Sequence, residues 1–145
     1  MKKKKGFYEY TTHYPRRLWV MYDTSEEEID KCFTDKEGNP LDHGDVPMSK
    51  GNYGGVTYNE CMSKAGKYFG NLVVFPKKRD MTMKNICHEG LHTLLSIYDV
   101  CGLELVHNGR NEHLTYLMGW ICDCIDNARL GIGDFVEIKD KDKEE

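Results

Sequence analysis

The sequence predicts an α+β domain, a small twisted sheet packed on two long helices. Three observations carry that prediction. Two runs rich in β-branched and aromatic residues, 54–61 and 71–75, flank a glycine-bounded turn. After Thr82 the apolar spacing changes from that of a strand to that of a helix. Two helical stripes then follow, the first closed by Gly102. A chain of 145 residues suits one domain, 1–145, with enough length for a core but none for two lobes.

The elements follow in order. Arg17–Asp23 (RLWVMYD) has the composition of a strand. Ser25, with Glu28 three positions later, forms a capping-box pattern for a short helix over Glu26–Cys32. Asp35–Pro47 is dense in turn formers and is expected to be loop. Gly54–Cys61 alternates like an exposed strand, and Asn71–Phe75 reads as a more buried one stopped by Pro76; the two are expected to pair as a hairpin. Met83, Ile86, Cys87, Leu91, Leu94, Leu95 and Tyr98 recur at helical spacing, with Gly102 as the C-cap. Asn111–Arg129 carries a second stripe, Leu114, Leu117, Met118, Ile121, Ile125 and Ala128, ended by Gly131 and Gly133. Asp134–Ile138 is expected to be a short terminal strand. The core is placed within about 54–130, with 1–6 and 139–145 expected to be disordered.

Composition narrows the function classes. Hydrophobic residues make up 39%, charged residues 30%, and mean hydropathy is −0.65, values of a polar globular chain. Lys plus Arg total 20 against 24 Asp plus Glu, a net charge of −4, which argues against a nucleic-acid partner. No apolar run is long enough for a membrane span, so no membrane partner is expected. The basic start, Met1–Lys5, lacks the apolar segment of a secretory signal, which points to the cytoplasm. In that compartment the six cysteines are expected to be buried free thiols.

The chemistry is concentrated in the first long helix, at His88-Glu89-Gly90-Leu91-His92. Residues four apart project from one helix face, so both imidazoles can reach one metal ion. Glu89 lies one residue, about 100°, around from His88, placed to address a water without becoming a ligand. Composition alone would produce this string about 0.02 times in such a chain, so it is suggestive by itself. A catalytic zinc ordinarily takes three protein ligands and keeps an open position. Twenty residues after His92 comes Asn111-Glu112, at the start of the second helix.

This arrangement resembles the gluzincin metallopeptidases, the thermolysin-like enzymes, whose third ligand is a glutamate at this distance on the following helix. It is also similar to small zincin-like proteins of tailed bacteriophages, in which the second helix begins with glutamate and continues through Tyr, Gly and Trp; here the run is NEHLTYLMGW, Asn111–Trp120. The likeness covers roughly 54–129. It implies a minimal zincin-like fold, zinc held by His88, His92 and Glu112, and Glu89 as general base. The implied activity is peptide-bond hydrolysis on a peptide or protein substrate lying along an edge strand, with a phage or host protein as a further partner. Tyr116 stands where thermolysin-like enzymes carry an aspartate that orients a ligand histidine. No second lobe supplies a transition-state-stabilising histidine, so Tyr98, His107, His113 and Tyr116 are the candidates for that role. Two other readings stay open: a non-catalytic phage structural or assembly protein with a structural zinc, and a regulatory peptidase acting on a repressor-like protein. Asp42–Asp45 and Lys77–Arg79 read as ordinary loop chemistry.

Overall fold

The computed structural model describes residues 6–12, 14–44, 46, 48, 51, 53–106 and 108–138. It is an α+β fold with strands β1 (Gly6–Thr11) and β2 (Arg17–Tyr22), helix α1 (Glu26–Cys32), and strands β3 (Phe33–Asp35), β4 (Val56–Ser63) and β5 (Phe69–Phe75). After a single 3-10 turn come α2 (Met83–Val100), α3 (Glu112–Arg129) and the short β6 (Asp134–Phe135).

The strands form one sheet in the order β3-β4-β5-β2-β1-β6. β2 and β5 are central and parallel, in the register Leu18 to Asn71 through Tyr22 to Phe75. Every other neighbouring pair is antiparallel. Because successive side chains leave a strand on opposite faces, each central strand feeds two cores. On one face Leu18, Val20, Val73 and Phe75 pack with Ile86, Leu94 and Ile97 of α2 and Ile121, Ile125 and Ala128 of α3. On the other, Trp19, Met21, Leu72 and Val74 meet Phe7, Ile29, Phe33, Leu41 and Met48. Burial on both faces explains why β2 and β5 read as continuous apolar runs instead of alternating ones.

The expected hairpin is present as β4 and β5, with a register break between Tyr58 and Cys61 where Glu60 adopts φ 52°. Ser25 accepts from Glu28 N–H and caps α1, and Thr82 accepts from Asn85 N–H and caps α2. The core, however, extends well before residue 54. Gly6, expected to be disordered, is buried in β1, and Phe7, β2, Ile29 and Phe33 are all core. β1 and β3 carry no periodic signal of their own; pairing to β2 and β4 is what orders them. β6 stops at Phe135, short of the expected Ile138. Residues 1–5 and 139–145 lie outside the described residues.

The stripe expected to bury α2 is only half correct. Ile86, Leu94 and Tyr98 are buried, but Met83, Leu91 and Leu95 are exposed at 82%, 49% and 41%, and Cys87 is exposed too. The buried arc instead takes in Glu89, Gly90, Thr93 and Ser96. Gly90 is there because α3 passes close by: a Cβ on it would lie 3.3 Å from Cys122 Sγ and 3.6 Å from Ile121 and Met118. Gly90→Val should therefore overpack the α2–α3 contact and cost about 1–3 kcal/mol. Urea unfolding checks this; a midpoint equal to wild type would mean that the helices are not pressed together here.

All six cysteines are free thiols, but only Cys61 and Cys124 are fully buried. Among the described residues no helix is long and apolar enough to cross a membrane.

Candidate metal centre

α2 runs back along the sheet, with α3 antiparallel beside it. Gly90 faces Cys122, Ile121 and Met118, and Tyr98 reaches His113. With 100° between successive residues, Glu89, Thr93 and Ser96 then turn towards the sheet, while His88 and His92 point outwards. The ligand-capable atoms of His88, Glu89 and His92 all lie within 4.8 Å of one another, the one such group of three found among the described residues. The two imidazoles meet edge-on, with centroids 5.0 Å apart and planes at 71°.

Their burial is opposite in kind. Both histidines are exposed, whereas Glu89 is only 4% exposed. Glu89 Oε2 lies 3.8 Å from His88 Nε2, and Oε1 accepts from the Thr57 hydroxyl of β4 at 3.1 Å. Gly55 covers the same side chain so closely that a Cβ there would fall 2.9 Å from Glu89 Cγ. The carboxylate is thus clamped between strand and helix with one oxygen aimed at the histidines. Thr57 and Gly55 carry no motif signal; only the pairing of β4 to the sheet brings them to Glu89.

β3 pairs with Cys61–Ser63 alone, so among the described residues Val56–Tyr58 have a strand partner only in β5.

Other candidates fall elsewhere. Glu112 is exposed at the start of α3 and does not join the cluster. The Tyr98–His113 contact sets the start of α3 level with the C-terminal part of α2. That is six residues, or roughly 9 Å of helix rise, past His92. His113 is held on both ring nitrogens, by Tyr14 Oη at 2.5 Å and Tyr98 Oη at 2.7 Å. Tyr116, 76% exposed, lines a cavity of 560 Å³ with Thr11, Thr12, Tyr14, His113, Leu117 and Trp120, none of which belongs to the histidine cluster. His107 lies outside the described residues. At the α2–α3 contact, burial and the neighbouring Cys87 push the Cys122 thiol up to about 11.

The loop histidine has a structural task. His43 bonds Asp30 Oδ1 and Tyr58 Oη, each at 2.7 Å, and so pins the segment after β3 to α1 and β4. Asp45, from the same sequence cluster, lies outside the described residues.

Comparison with known proteins returns no match, whether to a family model, a curated protein or a solved structure. Two imidazoles four residues apart fit a borderline-soft divalent ion, and imidazole suits Zn, Cu, Fe and Ni alike. As described, the cluster supplies two such ligands and one buried carboxylate, and not the third ligand expected at Glu112.

Proposed function

We propose that the protein is a zinc-dependent hydrolase of peptide bonds, with His88 and His92 holding the metal and Glu89 as general base. The observation that carries this reading is the contrast within the cluster: two exposed histidines beside a buried carboxylate fixed by Thr57. When bound, zinc would supply Lewis acidity towards a substrate carbonyl and lower the pKa of an attacking water.

With zinc bound, Glu89 would accept the proton of that water and pass it to the departing amine. Its immobility favours this role, since a base held at a fixed distance needs no reorganisation at the moment of transfer. Val56–Tyr58, whose one strand partner among the described residues is β5, suit an extended peptide, which would add as a strand beside Thr57 and run past Glu89. His113 is a poor transition-state stabiliser, because both nitrogens are already engaged. Glu112 enters this reading on its sequence spacing alone. The first turn of α3 would have to shift to deliver it; Asn111 makes no side-chain cap there, but Tyr14 and Tyr98 hold the neighbouring His113.

Cleavage of a peptide library by the zinc-loaded protein is the direct test. Activity is expected to disappear on chelation and return with zinc; a zinc-loaded protein that cleaves nothing would overturn the reading. In the same preparation Glu112→Gln is expected to weaken zinc binding by about tenfold or more, the loss of one charged interaction. Unchanged affinity would remove Glu112 from the ligand set.

A further inference from the structure

Away from the histidine cluster, the side chain with the least satisfied chemistry is Arg16, in the turn between β1 and β2. It is only 8% exposed. Its Nη2 donates to Asn71 Oδ1 at 3.2 Å, and its Nε is buried without a partner. Asn71 is itself held in place, its Nδ2 donating to Ser96 Oγ and Asn59 Oδ1. Among the described residues no carboxylate forms an ion pair with Arg16; the ion pairs found are Lys36–Glu60, His43–Asp30, His88–Glu89 and Arg129–Asp126. A guanidinium carries five N–H donors and cannot escape burial by giving up its proton. A buried charge of this kind is strongly unfavourable unless something pairs with it.

Arg16 also lines a cavity of 320 Å³, together with Thr11, Thr12, Tyr14, Arg17 and Tyr68. The Arg17 guanidinium lies 4.3 Å from the centre of the Tyr68 ring, which holds a second positive charge at the same cavity. The overall charge of −4 makes this local concentration of cationic groups a feature of the site and not of the chain.

We propose that this cavity binds a small oxyanion, a carboxylate or a phosphate, with Arg16 as its principal counter-charge and Arg17 as a second contact. Three observations converge on it: a buried guanidinium with no carboxylate partner among the described residues, a cavity lined by Arg16, and a second arginine lining the same cavity. Guanidinium geometry matches both carboxylate and phosphate oxygens in pairs, so the shared chemistry is a bidentate oxyanion. The volume suits a small solute or the charged end of a chain, being near the lower limit of ordinary ligand pockets. The site shares no residue with the histidine cluster and stands whether or not that cluster binds metal.

The test follows the Arg16 Nε–Hε resonance of labelled full-length protein, assigned by its loss in Arg16→Lys. Sodium phosphate and sodium acetate are titrated separately, with ionic strength held constant by chloride. A saturable shift of the Arg16 signal is expected with at least one anion, and the tighter of the two assigns the class as phosphate or carboxylate. Arg17→Gln is expected to weaken that binding about tenfold, as loss of a charged hydrogen bond does. Arg16→Lys keeps the charge but not the fork, and is expected to weaken it further. Should Arg16→Lys not fold, the resonance is assigned by through-bond correlation to the Arg16 backbone, and the wild-type and Arg17→Gln titrations still decide. Shifts that stay linear to about 100 mM with both anions, beyond the range of a site with even weak affinity, would overturn the proposal.

Discussion

His92→Ala is expected to bind zinc at least about 100-fold more weakly than wild type while keeping the fold. The size follows from what remains. Removing a group that merely orients a ligand already costs roughly 10–100-fold, and His92 is assigned as a ligand itself. Without it, His88 is a single exposed imidazole whose nearest charged neighbour, Glu89, is clamped by Thr57. Folding should be spared because His92 is exposed and contributes nothing to either core. Exposed substitutions of this kind usually stay within about 0.5 kcal/mol. Competition with a chromogenic chelator measures the affinity, and a thermal melt without metal measures the fold. Equal zinc affinity in the two proteins would show that the pair does not hold the ion.

Glu89→Gln separates chemistry from binding. Peptide cleavage is expected to fall by about 10²–10⁴, the usual contribution of a positioned general base, with zinc affinity close to wild type. Gln keeps the shape of the side chain, and its carbonyl can still accept from the Thr57 hydroxyl. Stability should not drop, because the change removes a buried carboxylate that, among the described residues, is paired only with His88, 3.8 Å away and itself exposed. A Glu89→Gln protein that cleaves as fast as wild type would eliminate Glu89 as the base. Loss of zinc along with activity would instead make Glu89 a ligand, in keeping with its place in the three-residue group.

The fold was legible where periodicity is strong and local. β2, α1, the β4–β5 hairpin and both long helices fall within about two residues of their expected bounds. β1 and β3 were not legible, since a strand on a sheet margin is chosen by its partner as much as by its own composition. The burial of α2 was misjudged for a related reason. An apolar stripe gives the arc of a helix that can be buried, and only the neighbours decide which edge of that arc is used. Here α3 approaches over Gly90 and β4 covers Glu89, leaving Leu91 and Leu95 outside with the histidines.

The sequence by itself determined the α+β class, the two helices and the proximity of His88, Glu89 and His92, because these depend on spacings within one segment. The 3.6-residue turn brings positions i and i+4 together whatever surrounds the helix. Tertiary structure alone decided the rest: that Glu89 is buried against Thr57, that Glu112 lies outside the three-residue cluster, that His113 is tied between Tyr14 and Tyr98, and that Arg16 is enclosed with no counter-charge among the described residues. Each of these joins residues far apart in the chain. Their geometry depends on how the helices cross and which strands pair, and no local spacing encodes either.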